Sequence, residues 1–447
     1  MIRKVALTNV GPLPDLEIKF GEGLNVITGD NGLGKSFLLD VVWYALTRRW
    51  PAELNRRMMS GYMARPGKAS EPASIRFLMD RADGKKSMEY RTDFRRELQA
   101  WTGRAGRPLN PGLVVYAHYD GSFSVWDPAR NYWRQNGDAD VQERQPAFVF
   151  APNDVWDGLK VMGKEGGEQW LCNGLIRDWL DWQKDRDNSK FAILEKLLQH
   201  LSPADMKLCA AIPQRISLDD ARAYPTVAMP YGDIPVIWCS AGIRRILALA
   251  YILAWTVVEH LENSRLLGQM PARDLTFLFD EVEAHLHPQW QRRIMPGILA
   301  ALEQIATLLK ETETTRARKG RHMQVIAVTH SALVMASLEQ CFSTQKDGVW
   351  LDVDLDSTGQ VQMTPREFAK HGDANGWYTS EAFDLSSTYS LKAEKVMAEA
   401  ANLLKQPQPN PEQIRAVYRQ LQEVLAPLDS FLFRFRALCE KRSISLS

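Results

Sequence analysis

Eight consecutive residues constrain this chain more than any other feature. Gly29, Asp30, Asn31, Gly32, Leu33, Gly34, Lys35 and Ser36 satisfy G-x-x-x-x-G-K-[ST]; they stand between an apolar strand-like run (NVIT, residues 25–28) and a helical apolar pattern (FLLDVVWYAL, residues 37–46). That order requires a strand to turn sharply through glycines into a helix. Gly29, Gly32 and Gly34 let the backbone curl, and the N–H groups around Asn31 and the helix N-terminus face an anion. Lys35 brings a positive charge to the terminal phosphates, and Ser36 offers an oxygen ligand to Mg²⁺. A chance glycine turn explains the loop alone, but not the loop with both flanks in place.

Phosphate chemistry of this kind needs a second carboxylate motif for the metal and the attacking water. Leu275, Thr276, Phe277, Leu278, Phe279, Asp280 and Glu281 supply it, as an apolar strand ending in two adjacent acids. Asp280 is expected to face the Mg²⁺ shell, and Glu281, one residue on, to orient or deprotonate the water. An ordinary acidic strand end at a turn is the plainer alternative for this pair. Residues 275–279 and 325–328 are continuously apolar, the look of parallel strands covered on both faces, which implies an α/β fold.

The 447 residues allow about three domains or one large nucleotide-binding fold with insertions. With 45% hydrophobic and 24% charged residues the composition is that of a soluble globular chain, and a net charge of +1 means that any basic binding site must be local. Cys172, Cys209, Cys239, Cys341 and Cys439 are odd in number and never paired as C-x-x-C, so neither a disulfide framework nor a zinc knuckle is expected. Pro12 and Pro14 interrupt the N-terminus before a signal sequence forms, and the longest apolar run, residues 246–258, falls short of the roughly 20 residues a bilayer requires. A cytoplasmic chain without membrane attachment is the expectation.

Composition shifts divide the chain into four segments. Residues 1–155 read as a first ATPase lobe with the glycine-rich loop and a peripheral β element around residues 74–79 and 87–91. Residues 156–235 read as a helical insertion, because Trp170, Leu171, Leu175, Ile176, Trp179 and Leu180 recur at helical spacing. Pro225, Pro230 and Pro235 mark its end. Residues 236–370 form the second lobe, and residues 371–447 a small helical appendage in which Phe431, Phe433 and Phe435 cannot share one helix face.

With the two phosphate motifs in place, the sequence resembles the ABC-type ATPases, in the soluble branch of RecF, SMC and OLD proteins. The opening IRKVALTNVGPLPDLEIKFGEGLNVITG is similar to that branch's N-terminal lobe leading into Walker A, and Asp280-Glu281 to Walker B. Residues 238–245 (WCSAGIRR) resemble the ABC signature, residues 282–288 (VEAHLHP) the D-loop, and residues 325–331 (VIAVTHS) the strand that carries the H-switch, His330. The resemblance covers residues 1–45 and 236–335. It implies a P-loop fold with a mixed sheet, ATP and Mg²⁺ as ligands, and Glu281 and His330 as catalytic residues. It also implies that Ser240 and Gly242 hold the ATP bound by another copy, giving a head-to-tail homodimer or higher even oligomer. Ala241 replaces the first signature glycine, Cys239 the leading leucine and Val282 the D-loop proline, so slow hydrolysis is expected. The Q-loop glutamine is not located; residues 150–154 are the candidate stretch.

Three further clusters invite chemistry. Glu283, His285 and His287 mimic a metal set but fall inside the D-loop. Asp352, Asp354 and Asp356 echo the D-x-D of the nuclease appended to OLD proteins, yet the alternation reads better as an exposed strand running into a turn. Arg316, Arg318, Lys319, Arg321 and His322 form a basic loop, either a solvated surface or a nucleic-acid contact. The short insertion and helical tail are most similar to the ATPases of anti-phage systems such as Septu and PARIS, which implies a sensor or regulator acting with a separate effector, a nuclease or toxin. A RecF-like repair ATPase bound to DNA, and an ATP-gated scaffold of low turnover, are the alternatives.

Overall fold

The computed structural model describes residues 1–80, 87–103, 108–132, 134–136, 139–141, 145–163, 166–311, 322–344, 348–383, 385–406 and 409–446. Its centre is an eight-stranded sheet in the order Phe148–Phe150, Phe123–Trp126, Leu113–Ala117, Asp274–Asp280, His322–Val328, Leu24–Gly29, Val349–Leu355 and Val361–Arg366. The strands from Leu113–Ala117 through Val349–Leu355 run parallel, and antiparallel strands close both edges. Every residue of Leu113–Ala117 and Asp274–Asp280 is buried, as their largely apolar sequences require once both faces are covered.

Helix Lys35–Thr47 packs on strands Asp274–Asp280 and His322–Val328, where Leu38, Leu39, Val41 and Val42 share a core with Ile27, Leu278 and Val328. A five-stranded antiparallel sheet made of Leu13–Lys19, Ile2–Val10, Ser74–Met79, Met88–Arg95 and Ala100–Gly103 joins the same core. Helix Ala241–Leu266 extends well beyond the apolar run at its centre. It is long and apolar enough to cross a bilayer, but 72% of its most apolar window is buried inside the fold.

Register brings the functional segments to one edge of the sheet. Asp280 is level with Val328, Phe279 with Ala117, and Val328 with Ile27, so the loops that follow these strands emerge together at their carboxyl ends. Open parallel sheets bind ligands at that edge.

Residues 156–235, expected to be helical, are mixed. Helices Leu175–Lys184 and Ser189–Leu201 stand beside a hairpin, Leu159–Met162 with Glu168–Cys172, and a three-stranded sheet of Cys209–Arg215, Ala223–Met229 and Gly232–Pro235. Trp170, placed on a helix by its spacing, is a half-exposed strand residue, whereas Trp179 is fully buried in a helix. Asp352 corrects the exposed-strand reading of residues 351–356. Strand Val349–Leu355 pairs with the strand that enters the glycine-rich loop, and the Asp352 carboxylate is buried, accepting from Thr28 Oγ1 at 3.1 Å and pairing with Arg366 at 3.2 Å. The basic residues Arg316, Arg318, Lys319 and Arg321 lie outside the described residues.

The chain divides into two compact units, Met1–Trp377 and Tyr378–Ser447. In the second, helices Leu391–Lys405, Pro411–Val424 and Ser430–Lys441 enclose their own core of Val396, Ile414, Leu421, Leu432 and Phe435. Phe435 is buried, Phe431 packs at the margin and Phe433 is half exposed, as three aromatics at alternate helix positions must be.

Candidate nucleotide site

The glycine-rich loop takes a conformation that its sequence allows and few others would. Gly29, Gly32 and Gly34 all have positive φ. At Gly29 a side chain is excluded twice over, because a Cβ there would stand 2.0 Å from the carbonyl oxygen of Val353 on the neighbouring strand. Lys35 folds back over the loop, its Nζ donating to the carbonyls of Gly29 at 2.9 Å and Asp30 at 2.6 Å. Burial lowers the Lys35 pKa to about 8, against the opposing pull of Glu281, Asp30, Asp280 and Asp352. An ammonium satisfied only by loop carbonyls is poised to exchange them for phosphate oxygens.

Asp280 and Glu281 are adjacent in sequence and opposite in environment. Asp280 is completely buried, and burial raises its carboxyl to about 7; Ser36 pulls the other way, and Glu281 and Glu283 add to the rise. The Ser36 hydroxyl is close enough to favour the charged carboxylate, but it is too poorly directed to satisfy either Asp280 oxygen. Two orphaned hard oxygens beside a hydroxyl suit Mg²⁺, whose charge would relieve the cost of burying the carboxylate. Glu281 leaves the strand at φ 47, a left-handed conformation uncommon outside glycine, which turns its side chain away from that of Asp280. Its Oε1 lies 3.3 Å from His330 Nε2, and that partner holds the Glu281 carboxyl below its ordinary range.

Ser240 caps helix Ala241–Leu266, its Oγ accepting from the Ile243 N–H at 3.5 Å. Ser240 and Ala241 are exposed and Gly242 partly so. A Cβ on Gly242 would sit 2.8 Å from the His285 carbonyl, so glycine is required here for the close approach of the 282–288 loop. The structure therefore gathers Ser36, Lys35, Asp280, Glu281 and His330 around one edge of the sheet and leaves Ser240 and Gly242 on an outward-facing helix start.

Two residues inside the recognised motifs make contacts that the motifs do not specify. Arg245, one turn into that helix, donates to the carbonyls of Tyr119 at 2.7 Å and Glu281 at 2.9 Å, tying the helix to the end of strand Asp274–Asp280. Glu283 is buried and accepts from Thr329 Oγ1 and the His330 N–H. Glu283, His285 and His287 are not brought together as a metal-binding group among the described residues. Residues 150–154, proposed for the missing glutamine, follow the outermost strand of the sheet, three strands from Asp280, whereas His118, Tyr119 and Asp120 follow the strand beside it. His118 is buried between the hydroxyls of Ser60 and Ser124, and burial lowers its pKa to about 3.

Residues 24–336 match the family described as "AAA domain, putative AbiEii toxin, Type IV TA system". The chain belongs to this family. Its AAA domain agrees with the P-loop ATPase expected from the sequence. Septu protein PtuA of Bacillus thuringiensis is 20% identical over 441 residues, covering 96% of this chain and 94% of its own. Retron Ec83 probable ATPase of Escherichia coli is 23% identical over 290 residues, or 64% of this chain, and the match spans only 47% of that protein. The SMC head domain from Thermotoga maritima overlaps 82% of this chain and 99% of its own at 13% identity and a TM-score of 0.36. RecF bound to ATP overlaps 81% and 97% at 14% identity and a TM-score of 0.34. Overlaps this loose add nothing to the family assignment.

Proposed function

We propose that this protein binds and hydrolyses ATP, and that it does so as a head-to-tail dimer, or a higher even oligomer, assembled around the nucleotide. The observation that carries the reading is the division of labour at one sheet edge: a buried, orphaned Asp280 beside Ser36, and a turned-out Glu281 paired with His330. Lys35 and the loop amides receive the phosphates. Ser36 and Asp280 hold Mg²⁺, which supplies charge neutralisation at the terminal phosphates. Glu281, kept ionised by His330, accepts a proton from the attacking water, and His330 fixes the carboxylate's direction. Ser240 and Gly242 offer their helix start to the nucleotide held by the other copy.

Similarity along nearly the whole length of PtuA supports a role in anti-phage defence, as a sensor or regulator working with a separate nuclease or toxin. The five free cysteines, Cys209 exposed among them, suit a reducing cytoplasm. The test is Glu281→Gln. It is expected to bind ATP with unchanged affinity and to turn it over at least about 10²-fold more slowly, the contribution of a general base. Unchanged turnover would remove Glu281 from catalysis.

A further inference from the structure

His330 reaches Glu281 from a segment that another residue holds in place. Strand His322–Val328 ends two residues before it, and the chain then passes Thr329 and Ser331 into helix Ala332–Thr344. Thr329 N–H donates to the Ile27 carbonyl at 3.1 Å, which anchors the segment to the strand of the glycine-rich loop. Ser331 adds two more anchors, its N–H donating to Thr329 Oγ1 at 3.1 Å and its Oγ to Gln291 Oε1 at 2.8 Å. These hold the residues on either side of His330 and not the His330 N–H itself.

Glu283 supplies the direction. One of its oxygens, Oε1, accepts from Thr329 Oγ1 at 2.6 Å and from the His330 N–H at 3.0 Å, while Oε2 is buried without a partner. Glu283's own carbonyl accepts from the Leu286 N–H at 3.0 Å, fixing the loop on which it rides. A buried carboxylate is expensive to keep and is strongly felt when removed. Two donors on one oxygen, both from the segment that carries the Glu281 partner, give this one a definite task. We propose that Glu283 is a positioning residue for hydrolysis: it fixes the Thr329–His330 segment and so holds the His330 ring against Glu281.

The inference rests on the roles given above to Glu281 and His330, and its test separates the two. In steady-state ATPase assays of the full chain, Glu283→Ala is expected to lower kcat about 10²-fold at nearly unchanged KM, the scale of a misplaced catalytic group. Glu283→Gln, whose amide oxygen accepts the same two bonds, is expected to restore most of that loss. Thr329→Val, which removes one donor and keeps the carboxylate, is expected to fall between them, and it serves should Glu283→Ala fail to fold. Histidine-labelled NMR gives a readout independent of turnover. The His330 ring signal, assigned with His330→Gln, should move in Glu283→Ala and stay in place in Glu283→Gln. A wild-type chain without ATPase activity would defeat the catalytic reading while leaving the NMR comparison to judge Glu283. Wild-type kcat in Glu283→Ala, or an unmoved His330 signal, would overturn the proposal.

Discussion

The glycine-rich loop and the Ser240 helix start are both helix N-termini suited to an anion, and the rest of the chain treats them in opposite ways. The first is rooted in the core: Lys35 and Asp280 are buried and Gly29 lies against Val353 so tightly that no side chain fits, while Asp30, Asn31 and Gly32 at the crown of the loop are exposed. The second is open. Ser240 and Ala241 are exposed, and Gly242 is partly so. On the proposed reading one chain builds the phosphate and metal side of a site within itself, and a second copy completes it.

The sharpest way to break this contrast is at its closed half. Lys35→Ala should lose ATP binding by about 3 kcal/mol or more, the scale for removing one member of a buried charge-assisted contact, while Ser240→Ala should leave binding to the single chain unchanged. Titration calorimetry checks both, and equal losses would erase the distinction. The glycines sharpen it further. Gly29→Ala meets backbone at 2.0 Å with φ at +128 and should destabilise the fold by about 4 kcal/mol. Gly242→Ala meets the His285 backbone carbonyl at 2.8 Å, a looser clash, and should cost less, about 2 kcal/mol, seen as a smaller shift in denaturant midpoint.

The closed half also carries a pH signature. Because burial raises the Asp280 pKa from 3.8 to about 7, the group favours the folded chain at low pH, and that contribution is lost as pH rises through about 7. Asp280→Asn should therefore make the Mg²⁺-free chain more stable at pH 8 by about 1–2 kcal/mol and flatten its stability between pH 5 and 8. Thermal melts across that range check it, and parallel profiles for the two proteins would contradict it. Smallest of all should be the effect of ending the chain after Trp377, which leaves the first compact unit whole and its ATP affinity unchanged. Ending it after Asp373 instead removes Trp377, a fully buried side chain packed on Trp350 and Phe368, and should cost about 3–5 kcal/mol.

How much of this was legible in the sequence depended on distance along the chain. The glycine-rich loop, the Asp280-Glu281 strand and His330 could be read because each is a short pattern whose flanks already contain its geometry. Glu283 sat inside a motif that was recognised, but its partners lie 46 and 47 residues away, so its bond to the His330 segment carried no local signal. Asp352 misled for the same reason. Its alternating surroundings look amphipathic, while the partner that buries it, Thr28, is 324 residues distant. The strands in residues 156–235 were hidden by half-exposed sequences such as CAAIPQR, interrupted by Pro213, whose β structure comes from pairing with Ala223–Met229 rather than from a buried apolar face.

The central claim, that the open half waits for a second copy, is tested most directly by the mass of the Glu281→Gln protein in solution. Light scattering should find 50.8 kDa without nucleotide and an even multiple of that value with saturating Mg²⁺-ATP, reverting to 50.8 kDa when Ser240 is replaced by Trp. A chain that stays at 50.8 kDa while its ATP site is full, or an assembly indifferent to the change at Ser240, would contradict the account.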